Sequence, residues 1–113
     1  MSELSNDTKR ILSSLGLCVR AGKVIFGVPM LCEAMRKGGA SAPIAVFEAN
    51  GVSENTHKRI SDKCKHYGVR LYSLLCTGEE LAAALGKSAF LAAVGVTDQR
   101  MCEMVERCFT TKD

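Results

Sequence analysis

The sequence predicts an α/β protein, a three-layer α/β/α sandwich of four short strands and five helices. Three observations point there. Apolar residues recur at helical spacing in some segments and form short strand-length runs in others, and the two patterns alternate from end to end. Glycines, a proline and capping residues mark the boundaries between them. The chain has 113 residues, 47% apolar and 24% charged, which is an ordinary soluble composition with enough apolar matter for a buried core. That length predicts one domain, residues 1–113, with its core over about 6–109.

Residues 6–20 read as a helix, capped by Ser5 or Asn6, with Ile11, Leu12, Leu15, Cys18 and Val19 on one stripe and Gly22 as the stop. Lys23 to Phe26 is a short strand. Gly27 opens the second helix, Pro29 sits in its first turn where a missing N–H costs nothing, Leu31, Ala34 and Met35 face inward, and Gly38-Gly39 ends it. Pro43 to Glu48 has buried-strand length, and 49–52 is a loop. Ser53 caps a third helix to about Tyr67, on which Thr56, Ile60, Cys64 and Tyr67 share a narrow stripe. Val69 to Ser73 alternates like a strand, and Thr77-Gly78-Glu79-Glu80 is a capping box opening a short helix that Gly86 closes. Leu91 to Val96 is a buried strand. The last helix, Asp98 to about Phe109, places Met101, Met104, Val105 and Cys108 at i, i+3, i+4, i+7. The strand pairing order is not fixed by these patterns.

Charge is distributed unevenly. Lys and Arg total 15 against 12 Asp and Glu, a formal net charge of +3. The excess lies in the first two thirds of the chain, and residues 71–113 are net acidic, so a polyanion would meet the first part. Neither a secretion signal nor an apolar run of membrane-span length is present, which predicts a cytosolic protein with no membrane partner. Six cysteines, Cys18, Cys32, Cys64, Cys76, Cys102 and Cys108, form no C-x-x-C pair, and the closest Cys/His grouping, Cys64 with His66, points to different helix faces. They read as small buried hydrophobes rather than a disulfide framework or a metal site.

Catalytic signatures are poor. His57 and His66 are nine residues apart on one helix and face nearly opposite sides. Gly86-Lys87-Ser88 resembles the end of a phosphate-binding P-loop, but Leu81 stands where its first glycine belongs, and the triplet follows a helix instead of preceding one. Nucleotide hydrolysis, a cofactor and a small-molecule substrate are therefore not expected. What remains is basic. Lys58, Arg59, Lys63 and Lys65 lie on the third helix, as a phosphate-facing or merely solvated face. Gly27 at a helix start can let free N–H groups meet a phosphate or base edge, or can simply make a tight turn.

Two stretches, Leu15 to Gly27 (LGLCVRAGKVIFG) and Ser53 to Val69 (SENTHKRISDKCKHYGV), carry a specific likeness, joined by Gly38 and the segment Glu79 to Lys87. With them the chain resembles the small ribosomal-protein-like family of bacteria, the YlxQ-type proteins, over roughly residues 9–106. That family is similar to the archaeal and eukaryotic ribosomal proteins L-seven-Ae and L-thirty-e. The resemblance implies a mixed four-stranded sheet and RNA binding without catalysis, on a kink-turn, where the second helix start enters a widened groove and a short loop before the last strand covers an extruded nucleotide. The ribosomal relatives read G-x-N-E-x-x-K at that helix. Here Gly27 matches the glycine, Pro29 and Met30 replace the Asn and Glu, and Glu33 replaces the Lys. Lys23 matches the lysine before the strand, Gly86-Lys87 matches the bacterial branch, and Ser88-Ala89-Phe90 occupies the covering loop.

The expected RNA-binding set is therefore Lys23, Gly27, Val28, Pro29, Met30, Arg36, Lys37, Lys87, Ser88 and Phe90, with Lys23, Arg36, Lys37 and Lys87 gathered at one end. Losing base-reading side chains while keeping lysines predicts weak, salt-sensitive binding to structured, possibly ribosomal, RNA by a monomer. The competing expectation is a protein-interaction module on the same fold, docking through an apolar patch at Pro29, Met30 and Leu31.

Overall fold

The structure is a computed structural model, and it describes residues 6–109. The expected Ser5 cap lies outside the described residues. The elements run α1 (Asn6–Arg20), β1 (Val24–Phe26), α2 (Val28–Lys37), a 3-10 turn (Gly39–Ser41), β2 (Ala45–Asn50), α3 (Glu54–Tyr67), β3 (Arg70–Thr77), α4 (Gly78–Ala84), β4 (Ala93–Val96) and α5 (Gln99–Arg107). The four strands form one mixed sheet in the order β1-β4-β2-β3. β4 runs antiparallel to both β1 and β2, and β2 runs parallel to β3.

Side-chain alternation along the strands divides the core. Val46 and Ala93 face α2 and α3, in a cluster with Val28, Leu31, Met35, Ile60 and Cys64. Phe47, Val94 and Val96 face the other way, among Leu12, Leu15, Leu81, Cys102 and Val105 of α1, α4 and α5. The sheet is thus covered on both faces, which makes the three layers.

The strands differ from expectation at their ends. β2 begins at Ala45, two residues after Pro43, which has no N–H for the ladder, and it takes in the first two residues of the expected loop, ending at Asn50. β3 continues four residues beyond Ser73, because Leu74 and Cys76 point inward while Ser73, Leu75 and Thr77 point out. Tyr67, which shares a narrow stripe of α3 with Ile60 and Cys64, is not buried with them. It is instead exposed in the last turn, edge-on to His66, where the helix ends at the left-handed Gly68.

Three local devices fix two helix starts and the seat of α2 against the sheet. The Thr77 hydroxyl accepts from the Glu80 N–H while the Glu80 carboxylate accepts from the Thr77 N–H, so the capping box forms as expected. Ser53 caps α3 by accepting from the Thr56 N–H. Gly95 leaves room for α2: a Cβ there would lie 2.5 Å from Leu31 Cδ2 and 2.9 Å from Pro43 Cβ.

Candidate nucleic-acid interface

The end of β1 and the start of β4 lie side by side, since Phe26 pairs with Val94 and the Gly27 N–H donates to the Ala93 carbonyl at 3.0 Å. At that point the chain turns into α2. Gly27 has φ 87° and ψ 154°, a backbone state that L side chains rarely adopt, so glycine is needed for the turn itself. No side chain caps α2 and no acidic residue stands in its first turn. The carbonyl of Gly27 accepts from the Leu31 N–H, and Pro29 contributes no donor. The N–H groups of Val28 and Met30 therefore carry the partial positive charge of an uncapped helix start. Val28 is buried by its side chain, whereas Pro29 and Met30 are exposed, Met30 by 60%.

The segment from Gly86 to Ala92 lies at this same end. The Lys87 N–H donates to the Ala82 carbonyl at 2.8 Å, which closes α4, and the Lys87 ammonium stands 4.2 Å from the centre of the Phe26 ring. That cation–π contact holds a positive charge one residue from Gly27. Ser88, Ala89 and Phe90 are exposed, and the Phe90 ring leans over Gly78, where a Cβ would collide with it. Gly78 and the Leu91 N–H, which donates to the Gly78 carbonyl, tether the segment.

Gly27, Val28, Pro29, Met30, Lys87, Ser88 and Phe90 are thus brought to one end of the molecule. Lys23, Arg36 and Lys37 are not. Lys23 immediately precedes β1, and its carbonyl accepts from the N–H of Thr97, just past the far end of β4. Arg36 and Lys37 close α2, which runs back along the sheet, so Arg36 is about 12 Å of helix from Val28. Both pair with Glu33, Arg36 at 2.6 Å and Lys37 at 3.9 Å. The expected gathering of four cations at one end therefore resolves into Lys87 near the helix start and three cations away from it. The reason is polarity: β1 runs toward Gly27 and α2 runs away from it.

Two neighbours escaped the sequence reading. Phe26 is the platform for Lys87, and its only sequence signal is position immediately before Gly27. Glu48 is 3% exposed, and its carboxylate oxygens both lie 2.9 Å from His57 Nδ1. A lone acid ending an apolar strand was the available signal. On α3, Lys58, Arg59, Lys63 and Lys65 are all exposed, and Lys58 pairs with Asp62 at 3.2 Å.

Five of the six cysteines are buried and Cys32 is half-buried, all of them free thiols. Burial pushes the Cys18, Cys64 and Cys102 thiols up to about 11, which keeps them protonated and unreactive at neutral pH. Among the described residues no helix is long and apolar enough to cross a membrane.

Known proteins share this fold. No family model matches the sequence. Among solved structures, one described as a protein of unknown function from Bacillus halodurans C superposes with a TM-score of 0.78 at 24% identity, covering 89% of this chain and 97% of that one. The Giardia lamblia 15.5kD RNA binding protein superposes with a TM-score of 0.74 at 11% identity, covering 96% and 88%. The fold is therefore that of a class of small α/β/α sandwiches that includes an RNA-binding protein.

Two curated bacterial proteins, each called RNA-binding protein YlxQ, are similar in sequence. The one from Enterococcus faecium is 34% identical over 79 residues, 70% of this chain and 73% of its own length. The one from Bacillus subtilis (strain 168) is 35% identical over 85 residues, 75% and 80%. The chain belongs to the YlxQ family.

Proposed function

We propose that this protein binds structured RNA, without catalysis, through the α2 start and the segment from Gly86 to Ala92. The observation that carries the reading is the meeting of an uncapped helix start with the Lys87 ammonium and the exposed Phe90 ring at one end of the sheet. The names of both YlxQ relatives support it. The N–H groups of Val28 and Met30 approach a phosphate or base edge, Gly27 permits the close approach, Lys87 neutralises a phosphate and Ser88 offers a hydroxyl. Phe90 covers an unstacked base. Lys23, Arg36 and Lys37 serve as distant phosphate contacts for an RNA long enough to reach them.

The RNA is kink-turn-like, because a helix start fits a groove widened by a bend better than the deep, narrow groove of a regular RNA duplex. Pro29 and Met30 bring no polar side chain to the base edges, so specificity at this point is low and the protein reads shape and backbone. The protein acts as a cytoplasmic monomer associated with translation. The alternative of a protein-docking module is not favoured, since both relatives carry an RNA-binding name.

The test is a titration against a kink-turn RNA and a control lacking its G·A pairs, each at two salt concentrations. Binding that weakens with salt, with the kink-turn preferred, is expected. Lys87→Ala should weaken it and reduce the salt slope by about one phosphate contact. Absence of binding to either RNA at low salt overturns the reading.

A further inference from the structure

The Glu48–His57 pair is the feature of this molecule that neither the packing nor the proposed lysine and helix-start contacts absorb. Glu48 sits in β2 opposite Ala93, the residue whose carbonyl holds Gly27. Two strand spacings, about 10 Å, separate the pair from the α2 start. A buried carboxylate is costly to a fold unless paired. Among the described residues its partner is the imidazole of His57, whose side chain is 54% exposed. A pair built only for stability has no reason to leave half of one partner in solvent.

The chemistry of the ring follows from the contact. A carboxylate only accepts, so Nδ1 carries the proton and donates it to Glu48. In the neutral ring Nε2, on the side of the imidazole away from the Nδ1–Glu48 contact, is then left as a lone-pair acceptor. His57 helps to line a shallow cleft of about 260 Å³ whose other polar side chains are Glu48, Asn50, Glu54 and Ser73, beside the apolar Ala49, Val52 and Leu74. The β-bulge between Glu48 and Asn50 breaks the pairing at its floor, and Asn50 is exposed.

Charge decides what this cleft accepts. Its ionisable groups are two carboxylates, Glu48 and Glu54, and one imidazole. That combination repels a phosphate and favours a hydrogen-bond donor. A ribonucleotide offers such donors in two places, the 2′-hydroxyl and the N–H groups of a base edge.

We infer that His57 Nε2, aligned by Glu48, accepts a hydrogen bond from a ribonucleotide donor and supplies selectivity that Pro29 and Met30 cannot. His57 is the contacting group and Glu48 the positioning residue. The inference rests on the RNA-binding reading above and adds a second, uncharged contact beside it.

The experiment uses the full chain, the kink-turn RNA, and the same RNA with 2′-deoxy nucleotides at successive positions of its internal loop. His57→Phe keeps the ring and removes both nitrogens. Loss of one neutral hydrogen bond predicts an affinity about three- to tenfold lower. The salt slope should stay that of the wild type, since no phosphate contact is lost. Imidazole nitrogen NMR adds a readout that a purely structural role would not move. The His57 Nε2 resonance should shift on RNA addition while that of His66, in the last turn of α3, stays put. Glu48→Gln should mix the His57 tautomers and weaken binding in step. A deoxy position that weakens the wild type but not His57→Phe identifies the 2′-hydroxyl as the donor. If no position behaves so while His57→Phe still binds less tightly, the donor is a base edge.

Unchanged affinity and an unmoved Nε2 resonance, with Lys87→Ala still weakened, would overturn the inference and leave the RNA-binding reading intact. A salt slope lowered by His57→Phe would overturn it in favour of a phosphate contact. No RNA binding by the wild type would remove both.

Discussion

Gly95→Ala is the sharpest test of how α2 is seated. Gly95 lies in the middle of β4, paired with Ile25 on one side and Val46 on the other, so its backbone cannot shift without breaking two ladders. The added methyl carbon would stand 2.5 Å from Leu31 Cδ2 and 2.9 Å from Pro43 Cβ. Carbon atoms pack at about 3.5–4.0 Å, so each neighbour must retreat by about 1 Å. Leu31 is 1% exposed and packed in the cluster between the sheet, α2 and α3, and the Pro43 ring is rigid. Overpacking of this kind costs about 1–3 kcal/mol. For a domain of this size that lowers the melting temperature by roughly 5–20 °C. Thermal unfolding followed by circular dichroism measures it. Gly16→Ala is the control: it lies inside α1 with nothing within 4 Å of the new methyl, and it should stabilise by about 0.5–1 kcal/mol. Because the strained contact is with α2, Gly95→Ala should also weaken RNA binding by displacing the helix start. A melting temperature within 2 °C of wild type (~2 °C being under half of the 1 kcal/mol effect) would show that α2 is not held against β4 at this point.

Three further outcomes are expected. Gly78→Ala drives a methyl into the Phe90 ring, a half-exposed side chain able to swing away, so stability should hardly change while RNA affinity falls about fivefold or more if Phe90 covers a base; stability and binding measured on one preparation separate the two. Burial raises the Glu106 carboxyl, but hydrogen bonds from Arg70 and from Tyr72, the latter at 2.7 Å, outweigh it and hold the carboxyl below the usual carboxylate range. A carboxyl lowered on folding stabilises above its unfolded value, about 4.3, and that stability is lost as pH falls through the folded value. Glu106→Gln should therefore cost about 1 kcal/mol at neutral pH and converge on wild type in acid, as denaturation midpoints across pH would report. Titration with a thiol reagent should find one accessible thiol in the native protein, Cys32, and six after unfolding.

The elements were legible because their signals are local. Gly22 and Gly38, the Ser53 cap and the Thr77 capping box each fix a boundary within a few residues of sequence. Sheet order was not legible, because pairing β4 between β1 and β2 depends on contacts between residues such as Phe26 and Val94, 68 apart in the chain by their numbers. The candidate site shows the same division. Gly27 and Lys87 were readable separately, one as a turn glycine and the other as a loop lysine. Their meeting over Phe26 is a property of the antiparallel β1–β4 pair. The placement of Lys23 with Lys87 failed for the converse reason: nearness to Gly27 in sequence is separation along a strand.

That separation changes how the surface can work. With Lys87 the cation at the α2 start, and Arg36 and Lys37 held by Glu33 at the other end, the proposed binding end is not a dense basic patch. Its attraction for RNA must come from oriented backbone donors, one ammonium fixed on an aromatic face, and an apolar ring. Such groups reward an RNA that already has the right bend and penalise one that must be bent, since little Coulomb energy is available to offset the deformation. Selectivity for preformed shape follows from the scarcity of charge, and the acceptor proposed at His57 would add chemical selectivity without adding attraction for phosphate. A surface of this kind binds modestly and discriminates by geometry, whereas gathering the distant lysines around Gly27 would strengthen binding to every RNA alike.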